Sequence, residues 1–361
     1  MDKQILNPNQ NFSEASQLVL LAKKRVETES KKELLKHLKS NYQVENGFLI
    51  LDRSSNFKLK TPVKIPIQNV LKAKEKGVAD YIISSLIKIR PKLIPYIFEN
   101  ESLIELARYL KRYRTGSPST LYGYVGNIQR YCEWLNLTPD QLIKDLNGNT
   151  KKIQTHIRML EDFLGMLQDQ GLSPNPIANY AKAIRTFYRI HRITIQLSYP
   201  LTRKVVYSDR APTPEEIAKI LEVANIREKV VISLLALGGF REGTLVRLKY
   251  KHLSQDLEKG ITPVQVMVPA EITKGKYAEY WTFIGAEAVE YLKLYLEARR
   301  EGLTNNHPPE KIGPETPIIR HTKSFEPKPI TEKQLRVMVH NLLIKAGIIN
   351  KNQKPKTTIP S

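Results

Sequence analysis

Residues 237–252 read LGGFREGTLVRLKYKH. A Gly-Gly pair is followed by Arg241, at the mouth of a segment with helical patterning. A guanidinium so placed offers a rigid, planar fork of donors. That geometry meets two non-bridging phosphate oxygens with two charge-assisted hydrogen bonds. The same side chain could instead pair with Glu242 and decorate a turn. A second basic pattern lies upstream, where Lys182, Arg185 and Arg189 recur at i, i+3 and i+7 and Arg192 follows. Such a row can track a nucleic-acid backbone; it can also be a solvated helix face.

Composition narrows the chemistry. The 361 residues carry 57 Lys+Arg against 36 Asp+Glu, a formal charge of +21 spread along the chain. Charge of that sign and size favours polyanionic partners. A single cysteine, Cys132, excludes an internal disulfide. One Cys and seven scattered His leave no zinc-type cluster, so no metal is expected. No Walker-type or dinucleotide glycine loop is present, and no cofactor is expected. The start MDKQILNPNQNF lacks the apolar core of a signal peptide, and the longest apolar run, VVISLLALGGF at 230–240, is too short to span a bilayer. The expectation is a cytoplasmic protein with no membrane partner.

The elements that must position these residues fall into two helical groups. Residues 1–96 form an N-terminal region of unassigned role. It has helical patterning around 13–40, and a short strand pair is read in NGFLILDRSSNFKLKTPVKIPIQ. Residues 97–195 read as one helical domain. Leu121, Val125, Ile128, Cys132 and Leu135 share a helix face. Thr138, Pro139 and Gln141 form a helix start of capping-box type. Ile153, Ile157, Leu160, Leu164 and Leu167 mark a third helix, and Ile177, Tyr180, Ile184 and Phe187 a fourth, which carries the basic row. Residues 196–212 read as a linker. The domain from 213 to 361 opens with a capping box at Thr213, Pro214 and Glu216. A buried helix ending in glycines comes next, then the Arg241 segment. VQVMV at 264–268 reads as a strand, TKGK at 273–276 as a turn and YAEYWTFI as the return strand. A helix with Val289, Leu292 and Leu296 on one face follows. The last helix runs from a cap at Thr331 to a stop at Gly347. The fold expected is mainly α with a small β-hairpin.

This order resembles the catalytic domain of the tyrosine recombinases, the phage-integrase family, including integrases of archaeal or viral type. PTPEEIAKIL looks like that domain's opening helix, LGGFREGTLVRLKYKHL like the segment with its first catalytic arginine, and ITKGKYAEYWTFIGAEAVEYLKLYL like its hairpin lysine and the helix beyond. Residues 97–195 are similar to the family's SAM-like core-binding domain, a helical clamp on duplex DNA. The resemblance implies DNA recombination and integration, the work of a mobile element, with double-stranded DNA as partner. It implies Arg241 as the phosphate-binding catalytic arginine. It implies Lys274, or Lys276 in its place, as the general acid that protonates the leaving 5′ oxygen. Lys182, Arg185, Arg189 and Arg192 become DNA contacts.

The chain also departs from the family pattern. Thr244 stands where many members have an acid, and Gly-Gly-Phe precedes the arginine in place of Thr-Gly-Leu. No His-x-x-Arg occurs in the 361 residues; Arg336 and His340 stand in the reverse order. The last tyrosine, Tyr295, lies on the helix after the hairpin, where the family has no nucleophile. The expectation is therefore a C-terminally incomplete catalytic domain that binds DNA, touches the scissile phosphate and cleaves no strand alone. The partners expected are DNA and either a second copy of the chain or a full-length recombinase. The alternatives are a recombinase-derived DNA-binding regulator without catalysis and a basic helical scaffold.

Overall fold

A computed structural model describes residues 43–51, 62–146, 150–201, 210–275, 278–303, 307–322 and 324–350. The chain forms two compact units, Met1–Lys204 and Val205–Ser361, each with its own core. Both are mostly helical, and each holds one small antiparallel sheet.

The first unit begins with β1 (Gln43–Glu45), β2 (Phe48–Leu51) and β3 (Val63–Pro66), ordered β1-β2-β3. Asn46 and Gly47 turn the β1–β2 hairpin at φ 48° and 80°, a left-handed pair that Asn-Gly supplies at low cost. The second hairpin sets Leu49 opposite Ile65 and Leu51 opposite Val63, all buried. Eight helices follow: α1 (Ile67–Glu75), α2 (Ala79–Leu86), α3 (Leu93–Glu99), α4 (Glu101–Tyr113), α5 (Pro118–Leu135), α6 (Pro139–Leu146), α7 (Thr150–Asp169) and α8 (Pro174–Ile190).

Two expectations change here. The strand pair read in residues 46–68 is part of a three-stranded sheet. The boundary drawn at 96/97 falls inside α3, and a single core runs from Leu49 to Ile195. Small sheets and short helices cannot bury their apolar faces alone, and the elements of residues 43–51 and 62–96 share one core with the helices that follow. The patterning at 13–40, residues 202–209 of the linker and the tail from 351 lie outside the described residues.

The helix stripes and caps form as the sequence predicts. Leu121, Val125, Ile128 and Cys132 are buried along α5. The Thr138 N–H donates to Gln141 Oε1 at 2.8 Å, and the Gln141 N–H returns to Thr138 Oγ1 at 3.2 Å. On α8, Ile177, Ile184 and Phe187 are buried.

The second unit contains α9 (Pro214–Val223), α10 (Ile226–Ala236), α11 (Glu242–Leu245), a 3-10 turn at Tyr250–His252, α12 (Ser254–Glu258), β4 (Val264–Val268), a second 3-10 turn at Ala270–Ile272, β5 (Tyr280–Ile284), α13 (Ala286–Glu301) and α14 (Glu332–Lys345). Thr213 and Glu216 close the capping box before α9, and Asn225 and Glu228 close another before α10. β4 and β5 pair antiparallel, with Val264 opposite Ile284 and Val268 opposite Tyr280. Val230, Val231 and Leu234 of α10 and Leu292, Tyr295 and Leu296 of α13 lie in the core of this unit.

Candidate phosphate-binding site

α10 ends in Leu237, and the chain then reverses through Gly238 and Gly239, the latter at φ +65°. Gly238 is required for space: a Cβ there would lie 2.6 Å from the Phe240 ring and 2.8 Å from the Leu234 carbonyl. Phe240 folds into the core at 3 % exposure and anchors the turn. The next residue, Arg241, is exposed. Its backbone is extended (φ −70°, ψ 145°), and its carbonyl accepts from the Thr244 and Leu245 N–H groups at 2.9 Å each. Among the described residues its guanidinium has no hydrogen-bonding or ion-pair partner. Glu242 binds Arg336 of α14 instead, with Arg336 Nε 2.7 and 2.8 Å from its two carboxylate oxygens.

One expected contribution is missing. Arg241 does not open a long helix, because α11 has only four residues. A macrodipole needs several aligned turns, so the fork of Arg241 acts without substantial help from helix amides.

Lys274 sits in the connection between β4 and β5. The hydroxyl of the buried Thr273 donates to the Ala270 carbonyl at 2.8 Å and the Ala278 carbonyl at 3.4 Å, cinching the base of this connection. Gly275 turns it at φ +91°. Lys274 is exposed and, among the described residues, has no side-chain partner. Lys276 lies outside the described residues.

Two hydrogen bonds fasten this hairpin to the Arg241 segment, one on each side of Arg241 in the chain. Thr282 of β5 donates through Oγ1 to the Gly238 carbonyl at 2.9 Å. Arg247 donates through Nη1 to the Ile272 carbonyl at 3.2 Å. The framework thus carries two exposed cations, one a planar fork and one a flexible ammonium, on segments bonded to each other. Sequence reading did not find Arg247 or the partner role of Arg336. Arg247 also donates to Glu332 at 3.0 Å, and that residue lies far along the chain at the start of α14. No local spacing announces such a pairing.

Tyr295 is a packing residue. It is fully buried on α13, its hydroxyl accepts from the Arg320 N–H at 3.3 Å, and burial raises its pKa. Among the described residues, no group of three or more His, Cys, Asp or Glu could hold a metal ion. No helix of the described residues is long and apolar enough to cross a membrane.

In the first unit, Lys182, Arg185 and Arg189 are all exposed on α8, and Arg192 is exposed just beyond its end at φ +62°. The row is partly engaged: Arg185 Nε donates to the Ile195 carbonyl at 3.1 Å, and Arg189 Nη2 reaches the Tyr109 hydroxyl at 3.4 Å. Both bonds leave further N–H groups of each guanidinium facing out.

No protein-family model matches the chain. Its sequence is similar to that of tyrosine recombinase XerC of Leptospira interrogans, 27% identical over 220 residues that cover 56% of this chain and 65% of that protein. The chain thus spans just under two thirds of that relative's length. Tyrosine recombinase XerD of Staphylococcus aureus is 24% identical over 217 residues, covering 56% of this chain and 67% of that protein. A lambda integrase, crystallised as a tetramer bound to a Holliday junction, superimposes with a TM-score of 0.44 at 15% identity, over 87% of this chain and 83% of that one. That superposition is too loose to carry residue correspondences. The sequence matches make the chain similar to proteins of the tyrosine recombinase family.

Proposed function

We propose that this protein binds duplex DNA in site-specific recombination, and that Arg241 and Lys274 face the phosphodiester at which strands are exchanged. The observation that carries this reading is the exposed, unpartnered guanidinium of Arg241, bonded through its own segment to the connection bearing Lys274. In a strand exchange of this class, a tyrosine oxygen forms a bond to phosphorus while the bond from phosphorus to the 5′ oxygen breaks. Negative charge grows on the non-bridging oxygens, and a planar fork of donors opposes it. The leaving oxygen needs a proton, which an ammonium at the tip of a short connection can deliver. Tyr295 is not the nucleophile: a buried phenol of raised pKa cannot reach a phosphate. The sequence similarity to named tyrosine recombinases supports the reaction class.

The exposed row on α8 supplies backbone contacts to the same duplex. A regulator that binds DNA without cleaving it would show the same salt dependence and form no covalent product. Incubation with a nicked suicide substrate separates the two readings. The protein acting as recombinase, by itself or with a partner polypeptide, gives a 3′-phosphotyrosyl adduct that Tyr295→Phe does not abolish. The regulator gives none under either condition. Fluorescence anisotropy with a duplex tests the binding itself. Arg241→Ala should weaken binding about tenfold, the scale of one charge-assisted contact. Unchanged binding would remove Arg241 from the interface.

A further inference from the structure

Resting on the reading of Arg241 and Lys274 as phosphate-facing groups, we propose that Arg247 is a positioning residue. It holds the connection that carries Lys274 in register with the turn that carries Arg241, and Glu332 holds Arg247. The Arg247 fork spans two acceptors. Nη1 donates to the carbonyl of Ile272, the last residue of the 3-10 turn and two places before Lys274. Nη2 donates to Glu332 Oε1, at the first residue of α14. One planar group therefore bridges two segments far apart in sequence while standing on the chain just past α11. A lysine, with its compact ammonium on a flexible stem, cannot fix both acceptors in one plane.

The second support is Gly243. Its φ is not in the left-handed region, so its backbone does not demand glycine. The Glu332 carboxylate uses the space a side chain would take: a Cβ at 243 would lie 2.9 Å from Glu332 Oε1 and 3.7 Å from Arg247 Nη1, so the end of Glu332 would have to move. A glycine inside a helix carries an entropic cost, and here it lets the carboxylate reach Arg247. Arg336 meanwhile occupies Glu242. The third support is exposure. The Arg247 side chain is 47% exposed and that of Glu332 39%. A pair in that setting contributes little to global stability, so its effect falls on local geometry.

The test uses the full chain and three variants: Arg247→Met, Arg247→Lys and Gly243→Ala. The first readout is amide hydrogen exchange at Ile272 and Thr273, whose N–H groups bond to the Pro269 and Ala270 carbonyls at 3.1 Å. Arg247→Met should speed exchange at these two amides by about tenfold, as local opening becomes easier, with the amides of α13 unchanged. Arg247→Lys should restore part of the protection. Gly243→Ala should reproduce the methionine variant with Arg247 still present. The second readout is acylation of Lys274 by an amine-directed reagent, with and without a random-sequence duplex, compared at equal fractions of protein bound. The duplex should shield Lys274 in the wild type and shield it less in Arg247→Met. Unchanged exchange at Ile272 and Thr273 in both Arg247→Met and Gly243→Ala overturns the positioning role. So does exchange accelerated evenly through the second unit, which would mark a structural residue. A wild-type Lys274 that reacts equally with and without duplex overturns the phosphate-facing reading instead, and the exchange result still decides Arg247.

Discussion

Around Glu310, two guanidiniums are buried and paired; at position 241, one is exposed and has no partner among the described residues. Both places lie in the second unit. Arg299 is 1% exposed, and its Nε pairs with Glu310 Oε1 while Nη1 donates to the Pro317 and Ile318 carbonyls at 2.8 and 3.0 Å. Arg320, 2% exposed, donates to Glu310 Oε2 at 3.0 Å and to the Ser324 and Phe325 carbonyls at 2.8 and 2.6 Å. One carboxylate and four carbonyls thus replace much of the water these cations lost, while Arg299 Nη2 and Arg320 Nε find no hydrogen-bond partner among the described residues. The exposed guanidinium of Arg241 gives none of its donors to the described residues. An arginine whose donors serve the fold cannot offer them to a phosphate, and the chain keeps the two uses apart.

The sharpest way to break this comparison is at its buried end. Glu310→Ala leaves two guanidiniums uncompensated in the core. It should cost the second unit about 3–5 kcal/mol, the range for removing one partner of a buried pair. Urea denaturation followed by a probe in that unit measures it. A loss of under about 1 kcal/mol would mean that the cluster is solvated and the contrast false. Replacing Glu310, Arg299 and Arg320 together by apolar residues should recover only part of the loss, because the carbonyls of Pro317, Ile318, Ser324 and Phe325 lose their donors.

The α8 row stands between the extremes, exposed but partly engaged. Lys182→Ala, Arg185→Ala and Arg189→Ala combined should lower the slope of log affinity against log salt by up to about 2.7, at roughly 0.9 for each phosphate no longer neutralised. Anisotropy titrations at several salt concentrations read this slope. A slope equal to that of the wild type would take the row off the DNA. Because Arg185 and Arg189 also bond within their unit, the triple variant should lose a little stability as well.

Arg241→Ala tests the free end. Its melting temperature should match the wild type, since an exposed arginine with no partner contributes within about 0.5 kcal/mol. Only the duplex affinity should fall. A clear drop in melting temperature would show that Arg241 belongs with the structural arginines and would undercut its reading as a phosphate clamp.

The two kinds of arginine also differ in how far the sequence betrays them. The turn that carries Arg241 was legible because its setting is local: a Gly-Gly pair, a Phe and a helix start lie within a few residues. Stripes and caps were legible for the same reason, and the Thr138, Thr213 and Thr331 boxes all form. Arg299 reads as one more charge in EARR at a helix end, and nothing nearby says that Glu310 will enclose it. Arg247 finds Glu332 only after the chain has passed through both strands and α13. The length of α11 was equally hidden: GTLVRLKYKH carries helical spacing, yet the chain leaves the helix at Val246 and forms a bridge from Lys249 to Pro317. Residues 43–96 were opaque because each of their elements is too short to show a period, and their burial depends on helices that come later in the chain.

The smallest expected effect concerns His252, in the turn that follows the Arg241 segment. Its Nδ1 accepts the Lys249 N–H at 3.0 Å, which requires that nitrogen to be unprotonated. Burial, and then the charges of Lys251 and Lys249, hold its pKa below the ordinary 6.5, against a weaker opposite pull from Glu271 and Glu315. Below pH 6.5 the unfolded chain therefore takes up a proton that the folded chain resists. The contribution of His252 to stability is complete above that pH and declines as the pH falls through it toward the lower folded value. The decline should amount to about one or two degrees in melting temperature. His191 of the first unit shifts in the same direction, chiefly through burial. The measurement must therefore be a difference, His252→Gln minus wild type, between about pH 7.5 and pH 5.5. A glutamine can still accept the Lys249 N–H but does not titrate. The variant should melt close to the wild type at the upper pH and lose less stability on acidification. A difference that stays constant across the range would mean that His252 is already solvated. The turn beside Arg241 would then lie with the exposed cations rather than between them and the Glu310 cluster.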